Sequence, residues 1–155
     1  MKIKDFFPDN SYSLWLDREF LEWRIERNPS GVKYGFLEFS DNQGEVIAYL
    51  IYSENTDKVF YIEQFLFSKN LLASGKAGVI KCAKRFFRME GAVMLRAMGF
   101  SHNAINIEEM RLLKRIGFHF FASPEPSYFL FKNIKDSEVR MEEIYVSRLN
   151  TQGVV

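Results

Sequence analysis

The chain has 155 residues, of which 47% are hydrophobic and 26% charged, which is the composition of one globular domain. It excludes a disordered chain and a coiled-coil fibre, and no apolar run approaches the roughly 20 residues that cross a bilayer, so no membrane association is expected. Lysine and arginine total 21 against 20 acidic residues, and this near-neutral balance argues against a nucleic-acid partner. The single cysteine, Cys82, forms no internal disulfide and the first residues lack the apolar core of a signal peptide, so we expect a cytoplasmic protein.

The N-terminal part has the pattern of one helix followed by three strands. Apolar residues recur at helical spacing over 13–28, with Ser13 as a candidate N-cap and Pro29 as a residue that bars continuation. Short polar links then separate three apolar runs, which predicts an antiparallel meander with strands at 32–39, 45–53 and 58–67. The third strand is nearly apolar on both faces apart from Glu63 and Gln64, so we place it centrally in the sheet.

The C-terminal part alternates between helix and strand patterns. It predicts helices at 75–88 and 103–116, which Gly91 and Gly117 end, and strands at 92–98, 118–121 and 127–133. A helix that joins two successive strands makes them parallel neighbours. The predicted fold is therefore α/β (α+β), with a single mixed sheet of about six strands, an antiparallel meander followed by a β-α-β crossover, and helices on both faces. Residues 1–155 form one domain, with a core at 13–133 and a tail at 134–155.

The junction between the third strand and the next helix carries the clearest chemical signal. Small residues fill the helix start, and the N-terminus of a helix offers unpaired N–H groups to a phosphate. The alternative, which the sequence supports about equally, is that Gly75 and Gly78 only allow the helix to pack closely on the sheet. The junction residues are Ala73, Ser74, Gly75, Lys76, Ala77 and Gly78.

Two known phosphate-binding motifs do not fit this junction. A P-loop requires Ser or Thr after Gly-Lys, whereas Gly75-Lys76 is followed by Ala77, and the upstream glycine of that motif is also missing. The Gly-x-x-Gly tetrad of KH domains matches Gly75 to Gly78, but in that fold it joins two helices, and here a strand ends shortly before it. We therefore set both aside.

The arrangement resembles the GNAT acyltransferase superfamily, whose members take an acyl group from acyl-coenzyme A and usually pass it to an amine. The resemblance spans about Trp15 to Asn133. It rests on the order of the elements, on the strand–loop–helix unit at 60–87 and on the helix that ends in Gly117-Phe118. The family's pyrophosphate loop, Arg/Gln-x-x-Gly-x-Gly/Ala, fits at Gly75 and Ala77 but has Leu72 where Arg or Gln is usual.

The resemblance implies acetyl-CoA or another acyl-CoA as co-substrate and no metal. On this comparison a backbone N–H near Leu66 or Phe67 would bind the oxyanion, and Asn106 falls where the family often has an Asn that contacts the cofactor. Leu113 stands where many members carry the Tyr that protonates the leaving thiolate, which a leucine cannot do. With these residues, the cofactor-binding set is Leu66, Phe67, Ala73, Ser74, Gly75, Lys76, Ala77, Gly78 and Asn106.

Two residues are candidates for catalysis. Glu63, a carboxylate in an otherwise apolar strand, is a candidate general base, with a solvated strand position or a basic partner as the alternative. His102 follows the strand at 92–98 and is a candidate proton shuttle, with an ordinary polar loop residue as the alternative. Cys82 is predicted to be an inert core thiol and His119 a sheet residue, and neither has metal-ligand spacing.

The predicted partners are the acyl-CoA and an amine acceptor that the sequence does not specify. GNAT domains usually begin with a strand and a helix before the helix at 13–28, so this chain is expected to be either a piece of a longer protein or a trimmed variant. A sheet edge left open by a missing strand favours a homodimer or an adjoining domain. Because Leu72 and Leu113 depart from the family pattern, a non-catalytic GNAT-like module that binds a partner or dimerises is the alternative function.

Overall fold

The computed structural model describes residues 18–27, 31–100 and 104–120. Several predicted features lie outside these residues: the N-cap Ser13, the turn at Pro29, the candidate catalytic residue His102, the strand at 127–133 and the tail at 134–155. Within the described residues, a short helix comes first, three strands follow, and the chain then alternates helix, strand and helix.

The four described strands form one mixed sheet in which spatial order follows chain order. β1 pairs with β2 and β2 with β3 in antiparallel ladders, whereas β3 and β4 are parallel. The third strand therefore lies inside the sheet, as its apolar sequence predicted. The strands are β1 (Lys33–Ser40), β2 (Val46–Glu54), β3 (Val59–Phe67) and β4 (Met94–Ala97).

In each of the two links between antiparallel strands, a side-chain oxygen accepts hydrogen bonds from backbone amides and so closes the turn. In the first link, Asp41 Oδ1 accepts hydrogen bonds from the amides of Gln43 and Glu45, at 2.8 and 2.9 Å. In the second, Asn55 Oδ1 accepts from the amides of Asp57 and Val59, at 3.1 and 3.0 Å. Asp and Asn favour turns for this reason, so the polar links set the meander locally.

Three helical segments accompany the sheet. α1 (Arg18–Leu21) continues directly into a π-helical turn (Glu22–Glu26), and α2 (Ala73–Met89) and α3 (Ala104–Arg115) flank β4. Gly91 and Gly117, which follow α2 and α3, have φ angles of 78° and 93°. This left-handed backbone strains any residue with a Cβ, so the two glycines end the helices as the sequence predicted.

The main core lies between the sheet and α2, with α3 beside it. Phe87 is 1% exposed, and its ring centroid lies 5.1 Å from those of both Tyr52 and Phe60. The face of α2 predicted from helical spacing is the buried one. This core cluster comprises Ala48, Leu50, Phe60, Ile62, Phe65, Val79, Ile80, Ala83, Phe87, Leu112 and Leu113.

The prediction that Cys82 is a core thiol is wrong, because Cys82 is exposed. The buried residues of α2 include Val79, Ala83 and Phe87. At 100° per residue, the centre of that stripe lies well to one side of position 82. Cys82 is therefore next to a core residue in sequence but is turned away from the core.

A smaller cluster covers the opposite face of the sheet. Phe20, Leu21 and Ile25, from α1 and the π-helical turn, pack against it. Burial and the neighbouring Glu38 carboxylate raise the pKa of Tyr49 in this cluster, so its hydroxyl stays protonated at neutral pH. Helices therefore cover both faces, as predicted. The buried residues of this second cluster are Tyr49, Ile51 and Leu66.

The predicted strand at 118–121 does not form over its described part. Phe118, His119 and Phe120 lie outside the four strands of the sheet. His119 belongs to none of the described strands, so its prediction as a sheet residue is also wrong. Phe118 and Phe120 instead pack against the main core from a segment that follows α3. The alternation of aromatic residues in this segment therefore corresponds to packing against the core and not to strand pairing.

Candidate active site

An extra residue interrupts β3 in its middle. Ile51 of β2 lies opposite Gln64, and the next residue of β2, Tyr52, lies opposite Ile62. β3 therefore has one more residue than β2 at this point, and that residue is Glu63. Such a β-bulge bends the strand and breaks the alternation of its side chains, and bulges are frequent next to active sites.

The bulge places two consecutive polar side chains on one face of the sheet. Gln64 shares a face with Leu66, two residues further on. Glu63 lies on the same side, because its Oε1 accepts a hydrogen bond from Ser53 Oγ at 2.5 Å and Ser53 shares a face with Ile51. All three polar residues are at most 3% exposed. A buried carboxylate, hydroxyl and amide thus adjoin the second cluster.

β3 and β4 separate immediately before the bulge. Their parallel ladder ends where Ile62 lies opposite Ala97, and β4 itself ends there. β3 continues to Phe67, so its last residues have no β4 residue beside them. Among the described residues this edge of β3 is therefore unpaired beyond Ile62, and we call the space beside it the cleft. Glu63 and Gln64 lie at the closed end of the cleft and Phe67 at its open end.

The ladder with β2 determines which amides of β3 face this cleft. The Ser68 amide donates to the Ile47 carbonyl at 2.9 Å, and bonded pairs alternate along an antiparallel ladder. The N–H of Leu66 therefore points to β2, while those of Phe65 and Phe67 point to the side where β4 has diverged. Of the two residues predicted to offer an oxyanion N–H, this geometry favours Phe67 over Leu66.

The start of α2 supplies further amides close to the open end of the cleft. The amide of Lys76 donates to the Leu72 carbonyl at 3.0 Å and closes the first turn. The amides of Ala73, Ser74 and Gly75 precede that bond and so have no acceptor within the helix. Leu72, at the N-cap, makes no side-chain cap hydrogen bond. Within the predicted segment 73–78, the amides that a ligand can reach are therefore those of the first three residues, Ala73, Ser74 and Gly75.

The Lys76 side chain is already engaged within the protein. Its Nζ lies 3.1 Å from Glu108 Oε1 of α3 and 5.7 Å from the centroid of the Phe67 ring. Asn106, in the first turn of α3, is 2% exposed, and its Nδ2 lies 3.5 Å from Glu109 Oε2. The ion pair holds the starts of α2 and α3 together beside the end of β3. Lys76 of α2 therefore adjoins Phe67 of β3 and the start of α3, which also carries Asn106.

The two glycines of the α2 start have different surroundings. A Cβ at Gly75 would lie 2.6 Å from Leu71 Cδ1, whereas a Cβ at Gly78 would meet no atom within 4 Å. Close packing of α2 on the sheet therefore does not account for Gly78, and the close contact at Gly75 is with Leu71 of the loop before α2. The packing alternative is wrong for Gly78, and a glycine at that exposed position only weakens the helix.

Replacing Gly78 by alanine is expected to raise the free energy of unfolding by about 1 kcal/mol, because alanine restricts the unfolded chain and meets no atom in the folded one. The melting temperature should then rise by roughly 2–4 °C in a domain of this size. Thermal denaturation followed by circular dichroism measures the change. A lower melting temperature would show that Gly78 has a contact or a backbone requirement that this geometry lacks.

Leu113 and Leu72 occupy contrasting environments. Leu113 is 5% exposed and belongs to the main core, so its position serves packing. Leu72 is 75% exposed at the N-terminus of α2. Neither side chain can donate a hydrogen bond, so neither leucine stabilises charge on a ligand. An exposed leucine beside unpaired amides also lowers the polarity at the edge of the site.

Sequence reasoning singled out Glu63 and Phe67, which lie on β3 beside the cleft, but missed the residues that support them. Ser53, which holds the Glu63 carboxylate, drew no attention because it lies on another strand, ten residues earlier in the chain. Sequence reasoning also missed Arg96 of β4, whose Nη1 lies 3.3 Å from the hydroxyl of Tyr61 on β3.

No group of three or more His, Cys, Asp or Glu side chains is placed to hold a metal ion in the described ranges. Nor does any described helix have the length and apolar character needed to span a membrane.

Comparisons with known proteins give only distant similarities. No family model and no curated protein sequence matches the chain. Two aminoglycoside antibiotic 6'-N-acetyltransferases are similar in structure. The one from Acinetobacter baumannii has 18% identity, a TM-score of 0.45 and coverage of 78% of this chain and 85% of its own. The one from Acinetobacter haemolyticus has 18% identity, a TM-score of 0.44 and coverage of 78% and 86%.

A mutant protein from Bacillus halodurans has 11% identity, a TM-score of 0.46 and coverage of 64% of this chain and 68% of its own. The fold itself rests on the described elements of this chain: an antiparallel meander, a helix that leads to a parallel strand, and a further helix. This mixed α/β arrangement around a single sheet is consistent with the GNAT fold that the sequence resembles.

Proposed function

We propose that this protein is an acyl-CoA-dependent N-acyltransferase that passes an acetyl group to an amine. The observation that carries the proposal is the divergence of β3 and β4 after Ile62, which leaves the backbone of β3 open next to the start of α2. An extended amide chain such as pantetheine can add to an open strand through backbone hydrogen bonds. A pyrophosphate at its end would then reach the N-terminus of α2.

The α2 start supports the donor half of the proposal. The amides of Ala73, Ser74 and Gly75 have no intrahelical acceptors, and the helix adds a partial positive charge at the same point. Phosphate oxygens bind such a helix start without further side chains. Lys76 would contribute from its bridge to Glu108, and the small residues Ala77 and Gly78 would leave room for the cofactor. Asn106 of α3 is proposed to contact the cofactor, as the family resemblance implies.

The bulge supports the acceptor half. The lone pair of the amine nitrogen attacks the thioester carbonyl carbon, Glu63 takes a proton from that nitrogen, and the C–S bond breaks with its electron pair on sulfur. The N–H of Phe67, which faces the cleft, would stabilise the oxyanion, a contact worth about 3 kcal/mol in other enzymes. The hydrogen bond from Ser53 holds the Glu63 carboxylate in place for this transfer. His102 remains a predicted proton shuttle.

The core position of Leu113 favours a second candidate function. No acid stands there to protonate the leaving thiolate, and the exposed Leu72 replaces a polar contact to the pyrophosphate. A GNAT-like module that binds an acyl-CoA or a partner without catalysis would tolerate both leucines. Binding and turnover must therefore be measured separately, because only turnover distinguishes the two candidates.

Acetyl-CoA at about 100 times its Kd is expected to raise the melting temperature by several degrees, since binding at that ratio adds about 2.7 kcal/mol to the stability of the folded state. Gly75→Leu should abolish the shift, because its Cβ would lie 2.6 Å from Leu71 Cδ1 and the larger side chain must displace the loop beside the amides at 73–75. Differential scanning fluorimetry with and without acetyl-CoA measures both effects.

Cys82→Leu serves as the matched control, since Cys82 is exposed on the same helix and away from its start. It should retain the shift. A wild-type protein with no shift for acetyl-CoA or longer acyl-CoAs would overturn the donor site. A shift that survives in Gly75→Leu would place the donor elsewhere on the protein. A shift without release of CoA thiol in the presence of amines would favour the non-catalytic module.

A further inference from the structure

Gln64 contains a buried hydrogen-bond acceptor that no residue in the described part of the chain uses. The residue is 3% exposed, and no donor in the described part of the chain reaches its Oε1. Folded proteins rarely leave such an oxygen without a hydrogen bond, because burial removes the water that would otherwise provide one. A ligand that brings an N–H group to this point would supply the missing donor.

The position of Gln64 indicates which ligand that is. It directly follows Glu63, and the bulge places both side chains on the same face, at the closed end of the cleft between β3 and β4. In the proposed reaction the attacking nitrogen lies next to Glu63, which takes its proton. The same nitrogen is therefore the nearest donor that Gln64 can have during the reaction.

We infer that Gln64 Oε1 accepts a hydrogen bond from the attacking nitrogen and thereby selects primary amines as acceptors. This inference rests on the proposed acyltransferase function. A primary amine has two N–H bonds: one proton passes to Glu63 as the N–C bond forms and the C–S bond breaks, and the other remains for Gln64. A secondary amine or an alcohol has a single proton to give, so Gln64 Oε1 then stays without a donor in the transition state.

The test compares acceptors that share a benzyl group: benzylamine, N-methylbenzylamine and benzyl alcohol. With acetyl-CoA as donor, the release of CoA thiol gives kcat/KM for each. The wild type should prefer benzylamine, and Gln64→Met should reduce the ratio of benzylamine to N-methylbenzylamine at least about tenfold, chiefly by slowing benzylamine. Methionine has a similar length and shape but no amide oxygen.

Two further measurements separate selection from a structural role. Gln64→Met should keep the wild-type melting temperature and its shift with acetyl-CoA, because the oxygen has no hydrogen bond in the described structure to lose. Tyr49→Phe, which removes a hydroxyl from the same face of the sheet, should leave the acceptor ratio unchanged. A clearly lower melting temperature for Gln64→Met would overturn the inference, because it would show a structural partner.

The outcomes also distinguish this inference from the proposed function. If the wild type turns over the amines and Gln64→Met keeps the same ratio, the inference is wrong and the acyltransferase function stands. If acetyl-CoA shifts the melting temperature but neither amine is a substrate, the assignment of a primary-amine site is wrong while donor binding stands. If acetyl-CoA neither binds nor is consumed, the proposed function fails and the inference fails with it.

Discussion

Replacing Glu63 with glutamine is expected to lower kcat/KM for amine acetylation by about 10²- to 10⁴-fold, which is the usual contribution of a general base. Glutamine has nearly the same shape, and its carbonyl oxygen can still accept the hydrogen bond from Ser53 Oγ. It cannot take a proton from the attacking nitrogen. The substitution should therefore slow the chemical step, while the fold and the binding of acetyl-CoA are preserved.

The measurement is the rate of CoA thiol release at saturating acetyl-CoA, with the acetyl-CoA melting shift as a check on donor binding. Glu54→Gln is the matched control, because Glu54 is an acidic residue of the same sheet whose carboxylate pairs with Lys58 outside the cleft. It should retain the wild-type rate. If Glu63→Gln also retains that rate, the buried carboxylate has only a structural role and the proton passes to another group.

Replacing Phe87 with alanine is expected to lower the free energy of unfolding by about 3 to 5 kcal/mol, the usual cost of removing a buried phenylalanine side chain. Phe87 is 1% exposed, and its ring packs against Tyr52, Phe60 and the neighbouring Phe86. These rings join α2 to two strands of the sheet. The neighbouring rings cannot all move in to fill the cavity that alanine would leave, because each ring is attached to its own strand or helix.

Urea unfolding measures this change, and the melting temperature should fall by roughly 10 °C. Met89→Ala is the control: Met89 is the last residue of the same helix and is 77% exposed, so its loss should change the stability by no more than about 0.5 kcal/mol. A cost below about 1 kcal/mol for Phe87→Ala would mean that α2 is not held to the sheet by this aromatic contact.

Elements with a strong local signal were predicted closely. The buried stripe of α2 followed from helical spacing, and the ends of α2 and α3 from glycines that adopt a left-handed backbone. The hairpins were predicted from short polar links, and in the structure the side chains of Asp41 and Asn55 in these links bond to amides a few residues away. In each case the residues that interact are close together in the sequence, so the local sequence pattern is enough to predict the element.

Predictions failed where a residue's surroundings come from distant parts of the chain. Cys82 is an exception, because the helical spacing of the buried residues on α2 already places it away from the core. Phe118 and Phe120 have the alternation of a strand, yet pairing would need a neighbouring strand with free hydrogen-bonding groups. The choice between Leu66 and Phe67 as an amide donor likewise depended on the register of β3 against β2, which no local pattern specifies.

The sequence by itself determined the order of the elements, the central place of β3 and the small residues that open α2, because these depend on backbone preference and on apolar periodicity along one segment. The tertiary structure alone decided that Glu63 is the extra residue of a bulge, that Ser53 holds it, and that Gln64 lies beside it with an oxygen that no described residue bonds. Strand pairing is the physical reason. Register between strands fixes which side chains share a face and where a ladder ends, and it is set by contacts across the whole sheet.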